Sequence, residues 1–309
     1  MTLQQLVYFR AAARTGSFNA AARELHCTQP AVSEQVRQLE RELGAPLFAR
    51  GGRGLTLTSA GRAFLTHAER VAEAADDALS SVGRRHPRRE RVVTLGVFRN
   101  APYHDVAGLA ARVCTALPQI RLRLPGQNSA DVATAVRSGD LEAGLVCLPL
   151  DDRLLDVRPL FRDEVLVVSA DPARTREPMT LERLAEAPLV LYDASHGFDD
   201  PTRRQFSARA QEEGVVLAPR VEVEHVETAL QLVALGLGDT IASTAVVAAP
   251  GFPPGLSTAG LAAPIYDSFA LVTRRGGQLS ADTLDLVAVV EAWGRDVAAR
   301  RGQERVRSP

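Results

Sequence analysis

Two groups of side chains in this 309-residue sequence have the types and the spacing to do chemistry. The first begins at Thr28 and continues through Gln29, Pro30, Ser33, Glu34 and Arg37, positions that share one face of a helix. Each has a counterpart on duplex DNA. Gln29 can read adenine or thymine edges, Pro30 can meet a thymine methyl, Ser33 can bond a base or a phosphate, and Arg37 can reach guanine or the backbone. Glu34 either accepts from cytosine N4 or stays solvated, because phosphate repels a carboxylate. Arg50 and Arg53 flank Gly51-Gly52 and offer cations to the minor groove or to phosphate. The second group, Asn100, Ser129, Ser195-His196 and Glu227-Thr228, lies where four helices are expected to start. Backbone N–H groups at such starts favour an anion or a polar oxygen, so these positions suit a small polar, anionic metabolite. Each side chain can equally serve as a helix cap alone.

Neither group is equipped for catalysis. All 36 basic residues are Arg, which excludes a Schiff-base or P-loop lysine. The six His are scattered, and His196 is a sequence neighbour of Ser195 rather than a member of a triad. An enzyme tethered to DNA is therefore set aside, and no metal or cofactor is expected. Cys27, Cys114 and Cys147 form no CxxC and no even set, so a zinc site and a disulfide framework are not expected. A reducing cytoplasm is the simplest setting. Cys114 and Cys147 sit in apolar runs that suggest inert core thiols, against the alternative of a thiol redox sensor. Arg10, Arg14 and Arg23 interrupt any signal-peptide core. The uncharged stretch 240–266 holds four Pro and three Gly, so it reads as strand and loop rather than a membrane span.

Charge separates the chain into parts. Residues 1–91 carry 14 Arg against 9 Asp and Glu, whereas the remainder is acidic, which suggests a nucleic-acid module on a body with another task. The elements that must position the first group are short capped helices. Thr2 and Gln5 have capping-box spacing, Gly16 ends the first helix, Ser17 caps the second, and Thr28 caps a third that stops at Gly44. Val32, Val36, Leu39 and Leu43 line the inward face of that third helix. The run around Arg50-Gly51-Gly52-Arg53-Gly54 is a hairpin tip, which completes a winged helix-turn-helix over residues 1–58.

Residues 59–91 are expected to form a long helix and a hinge at the charged run around Pro87. Leu65, Ala72, Leu79 and Val82 make a seam on this helix that pairs with a second chain or packs on its own domain. Residues 92–309 alternate strands and helices. A unit of strand, helix, Gly and strand occurs near 121–146 and again near 220–242, which implies two similar lobes. The first spans about 92–164 and 265–300 and the second about 165–264, with crossings at 161–169 and 265–273. The cleft between them is the expected ligand site.

The run Gly16-Ser17-Phe18, Ala20-Ala21-Ala22, Thr28-Gln29-Pro30-Ala31-Val32-Ser33, Leu39-Glu40, Leu47-Phe48-Ala49-Arg50 and Ala60-Gly61 strongly resembles the LysR-type transcriptional regulators. Downstream, Ser138-Gly139-Asp140-Leu141-Glu142-Ala143-Gly144 and the segment 232–238 carry a weaker likeness to their effector domain. The resemblance implies a winged helix-turn-helix, a long linker helix and an α/β two-lobed domain like a periplasmic binding protein. It further implies a cytoplasmic, non-catalytic regulator of promoter DNA. Such a regulator is commonly a dimer of dimers, is controlled by a small-molecule effector, and has RNA polymerase as a further partner. Where some dicarboxylate-responsive relatives have a basic residue, this chain has Cys147, and Glu227 adds negative charge to the cleft.

Overall fold

The computed structural model describes residues 1–50, 55–81 and 91–302, and the chain forms two compact units, Met1–Arg89 and Glu90–Pro309. The first unit runs through α1 (Leu3–Thr15), α2 (Phe18–Glu24), α3 (Gln29–Leu43), the hairpin strands β1 (Phe48–Arg50) and β2 (Leu55–Leu57), and α4 (Ser59–Ser81). Thr2 and Gln5 form a reciprocal capping box, Ser17 accepts from the Ala20 N–H, and Gly16 and Gly44 close their helices in the left-handed region. Thr28 stands at the N-cap of α3 but makes no side-chain capping bond, contrary to the expectation from sequence. Leu6, Phe9, Val32, Val36 and Leu39 form the core of this unit. Phe9 lies 5.5 Å from Phe48 and 5.3 Å from Phe64, so one ring joins α1 to the hairpin and to α4.

Two features fix the hairpin to the helices. The Glu40 carboxylate accepts from the N–H groups of Leu47 at 2.7 Å and Phe48 at 3.1 Å. Gly61 lies so close to the Leu47 carbonyl that a Cβ would meet its oxygen at 2.0 Å. Along α4, Ala68 belongs to this core and Leu65 packs against it, so that part of the proposed seam serves its own domain. Ala72 is buried, whereas the Leu79 side chain and Val82 lie outside the described residues.

The second unit begins with β3 (Arg91–Phe98), a 3-10 turn (Ala101–His104), α5 (Val106–Ala116), β4 (Ile120–Arg123), β5 (Gly126–Gln127), α6 (Ser129–Ser138) and β6 (Ala143–Leu148). It continues through β7 (Leu155–Ser169), α7 (Leu181–Ala185), β8 (Leu189–Leu191), a second 3-10 turn (Gly197–Asp199), α8 (Pro201–Glu213), β9 (Pro219–Glu222) and α9 (Val226–Ala234). The chain then forms β10 (Thr240–Ser243), α10 (Thr244–Val247), β11 (Ser257–Arg274) and α11 (Ala281–Arg300). The segment 101–117 is not one continuous helix: Asp105, with φ of 62°, separates the 3-10 turn from α5. Among the described residues no helix is long and apolar enough to cross a membrane.

The duplication read from sequence is visible in strand order. In one lobe β3 pairs in parallel with both β4 and β6; in the other β8 pairs in parallel with β9, and Leu189 bridges Asp239 at the edge of β10. Strands β7 and β11 pair antiparallel and run through both lobes. On β7, Phe161 belongs to the first lobe's core and Val165 to the second; on β11, Ile265 belongs to the second and Phe269 to the first. Beside that boundary the pairing jumps from Gly260 with Leu166 to Ile265 with Val165. Asp163 sits at the crossing, where its carboxylate accepts from Thr244 and the Ala245 N–H and pairs with Arg301 at 2.7 Å.

Candidate functional site

On α3 the exposed residues are Pro30, Glu34, Arg37, Gln38, Arg41, Glu42 and Leu43, the last contrary to its expected inward place, with Thr28 exposed at the N-cap and Gln29 half-buried at the helix start. Ser33 is not on that surface. It is only 7% exposed, its hydroxyl donates to the Pro30 carbonyl at 3.2 Å, and it accepts from the Arg37 guanidinium at 3.1 Å. A second bond, from Arg37 Nε to the Ser33 carbonyl at 3.2 Å, fixes the guanidinium along the helix. Ser33 thus orients the Arg37 guanidinium. Glu34 is neither a bare reader nor simply solvated, since it pairs with Arg41 at 3.0 Å and lies 3.7 Å from Arg37. Those cations offset its repulsion of phosphate. The backbone of Arg50 pairs with Leu55, but its side chain and all of Arg53 lie outside the described residues.

In the second unit the carboxyl ends of strands from both lobes converge on one cleft. Phe98, Arg99 and Asn100 follow β3, Asn128 and Ser129 follow β5, and Cys147 comes from β6. From the other lobe come Tyr192 and Asp193 after β8, Asp200 and Thr202 at α8, and Ser243 at the end of β10; Asp267 and Phe269 come from β11. The cleft is about 430 Å³ including its open mouth, and about 30 Å³ of it admits the centre of a water-sized group.

Polar contacts bridge the lobes across this space. Arg99 pairs with Asp193 at 2.8 Å and with Glu224 at 2.7 Å. The Asn128 amide donates to Asp200 at 3.2 Å and Asp193 at 3.4 Å, while its oxygen caps α6 through the Ala130 N–H at 2.9 Å. His196 meets Asp131 at 2.9 Å, and Tyr103 donates to Glu227 at 2.6 Å. Asp193, His196 and Glu224 present ligand atoms within 4.8 Å of one another, which is metal-like spacing. The Arg99 guanidinium already occupies both of those carboxylates.

Burial governs the charge of the cleft. It pushes the Asp267 carboxyl up to about 7, against a lowering bond from Thr202 and with further raising by Asp200. Burial, reinforced by the charge of Asp193, pushes Asp200 up to about 6. Asp193 is also raised by burial, although Arg99 opposes the shift. The Cys147 thiol is held far above its usual value by burial and by Asp267 and Asp200. His104 is lowered by burial despite Asp163, and so is neutral.

The expected effector residues are therefore only partly brought together. Asn100, Ser129 and Cys147 line the cleft. Ser129 is the first residue of α6 rather than its cap, and its hydroxyl accepts from the Cys147 N–H at 2.9 Å. Ser195, His196, Glu227 and Thr228 lie outside the lining: Ser195 donates to Glu224, Glu227 accepts from Tyr103, and Thr228 is exposed near the start of α9. Cys147 is buried in the apolar core beside Phe269, with Asp267 and Asp200 as further neighbours, whereas Cys114 is exposed rather than part of the core. Arg99, Asn128, Asp193, Asp200, Ser243 and Asp267 were missed. Arg99, Asn128, Asp193 and Ser243 lie at or just past a strand's carboxyl end, a signal visible only once the strands are bounded, whereas Asp200 caps α8 and Asp267 lies within β11.

Known proteins resemble this chain along most of its length. Residues 3–62 match the family model described as "Bacterial regulatory helix-turn-helix protein, lysR family", and residues 86–295 match "LysR substrate binding domain". The HTH-type transcriptional regulator IlvR of Caulobacter vibrioides is 32% identical over 248 residues, covering 78% of this chain and 82% of that protein. Among solved structures, a full-length OxyR variant from Pseudomonas aeruginosa superposes with a TM-score of 0.69 at 24% identity, covering 94% of this chain and 98% of that one. Full-length CbnR complexed with its target DNA gives a TM-score of 0.65 at 21% identity, covering 95% of this chain and 100% of that one.

Proposed function

The chain belongs to the LysR family of transcriptional regulators, a class of DNA-binding regulators and not of enzymes, and from that premise we propose how it reads DNA and how it is controlled. Helix α3 enters the major groove with Gln29 and Pro30 leading, Arg37 reaches a base or phosphate from the rail provided by Ser33, and the hairpin contacts the neighbouring backbone. Two chains bind together through α4, whose apolar spacing continues to Leu79 and Val82, so the operator has paired half-sites. A small molecule in the interlobe cleft sets the affinity for DNA by preferring one lobe arrangement. The observation that carries this reading is the set of bonds from Arg99 and Asn128 across the cleft, because a ligand there must replace or reinforce them.

A thiol-redox reading has little to stand on. Cys147 is buried with its thiolate disfavoured, and reactive thiols need the opposite environment.

Selection of duplexes from a random pool by the full chain should enrich a sequence with two related half-sites. Gln29→Ala should relax preference at one base pair at a cost of about 1–3 kcal/mol. Arg37→Ala should weaken binding more than Ser33→Ala, which removes one of the two bonds orienting the guanidinium. A Ser33→Ala loss as large as that of Arg37→Ala would show that Ser33 touches DNA after all. Leu79→Glu should shift sedimentation toward smaller species and weaken operator binding; an unchanged assembly would move the pairing surface elsewhere.

A further inference from the structure

We propose that the effector is a cation, carrying a primary ammonium or amidinium group that docks among Asp193, Asp200 and Asp267. This inference rests on the reading of the interlobe cleft as the effector site and names the chemical class which that site takes.

The lining holds three buried carboxyl groups, Asp193 at 3% exposure and Asp200 and Asp267 at 6% each. Its one guanidinium, Arg99, is already engaged by Asp193 and, at the rim, by Glu224. Asp200 and Asp267 are held by neutral donors. Asp200 accepts from the Arg203 backbone N–H and from Asn128; Asp267 accepts from the Thr202 hydroxyl at 2.7 Å and the Gln205 amide at 3.3 Å. The Arg203 guanidinium turns away, to Glu222 and the Tyr192 carbonyl. His104 is neutral, and Asp163 is engaged with Arg301. An anion entering this space would be repelled by whichever of these carboxyls is ionised and would hold the rest protonated, whereas a cation would ionise and pair them.

A separate observation points to a donor-bearing ligand. Ser243, 5% exposed at the end of β10, lines the same cleft, and its hydroxyl has no hydrogen-bond partner among the described residues. A buried polar atom left without a partner is uncommon in folded proteins. An ammonium offers three donors and no acceptor, enough to reach two carboxylates and this hydroxyl together. About 30 Å³ of the cleft admits the centre of a water-sized group, which is room enough for an –NH3+ head. Phe98, Tyr192 and Phe269 supply aromatic surface beside it, which also favours a cation.

The test uses the full chain with 1,4-diaminobutane and agmatine as probes and succinate as the anion of similar length, read by thermal melting and titration calorimetry. An amine should raise the Tm by about 3 °C or more at saturation. Succinate should not. Asp267→Asn, isosteric and free of the buried charge, should fold at least as stably as the parent and bind the amine at least tenfold more weakly. Ser243→Ala should melt like the parent without ligand and also bind the amine more weakly. Stabilisation by succinate alone, lost in Ser243→Ala, would overturn the cationic class while keeping the cleft as the site. Amine binding unchanged in both variants would overturn the cleft itself as the site of this ligand. Absence of any amine effect at millimolar concentration would overturn the proposal.

Discussion

Asp267 is a carboxyl group whose charged form is the costly one. Its folded pKa of about 7 exceeds the unfolded value of about 3.9, so the folded state holds the proton more tightly. That contribution to stability is fully present below the unfolded pKa and is lost as pH rises through 7, on the order of 4 kcal/mol across the span. Asp200, raised to about 6, acts in the same direction. The Tm of Asp267→Asn relative to the parent should therefore climb between pH 5 and pH 8 without ligand. A flat difference would mean that the carboxyl is not held up. At this scale the sequence was a mixed guide. Type and spacing put Arg37 on the outward face, where it is exposed, and Gln29 beside it, where it is half-buried, but they also put Ser33 outward, because a hydroxyl looks equally at home on either side of the face boundary. It missed the acids because positions 193, 200 and 267 become neighbours only after the lobes close on one another.

Among the elements, α4 depends on a close approach that only glycine permits. A methyl at Gly61 would collide with the Leu47 backbone, which cannot swing aside as a side chain can. Gly61→Ala should push α4 off the hairpin and destabilise the first unit by roughly 1–3 kcal/mol, seen as an earlier melting transition of that unit. An unchanged transition would show that the junction yields freely. Helices were well marked in sequence because their ends carry local chemistry: the Thr2–Gln5 box, Ser17, and the left-handed Gly16 and Gly44. The break at Asp105 had no such mark. Nothing in the apolar spacing of 101–117 distinguishes a 3-10 turn followed by α5 from one continuous helix.

At the scale of the second unit, the lobes are latched at several separate points: Arg99, Asn128, His196 and Tyr103 each reach a carboxylate of the opposite lobe or receive one. A ligand that rewires these contacts need supply only about 1–3 kcal/mol of differential affinity to change DNA binding several-fold or more. The two-lobed plan was legible because its strand–helix–strand unit is used twice. The strand registers were not, since β7 and β11 are long strands whose pairing shifts between Gly260 and Ile265 and again between Phe269 and Ala270, so sequence alone does not pin one pairing over another.

The pairing of Val165 with Ile265 also bears on the order in which the protein assembles. The whole second lobe is a contiguous insertion whose two ends meet as hydrogen-bonded neighbours, whereas the first lobe needs Phe269 and the Trp293 helix to close its core. Contacts within the inserted lobe therefore have the smaller sequence separation, and it should consolidate first, both during synthesis and after dilution from denaturant. Pulsed hydrogen exchange on refolding should protect amides of α8 and α9 before those of β3. The lobe translated earlier would then be the one that waits, a partly open sheet held until the last helix arrives.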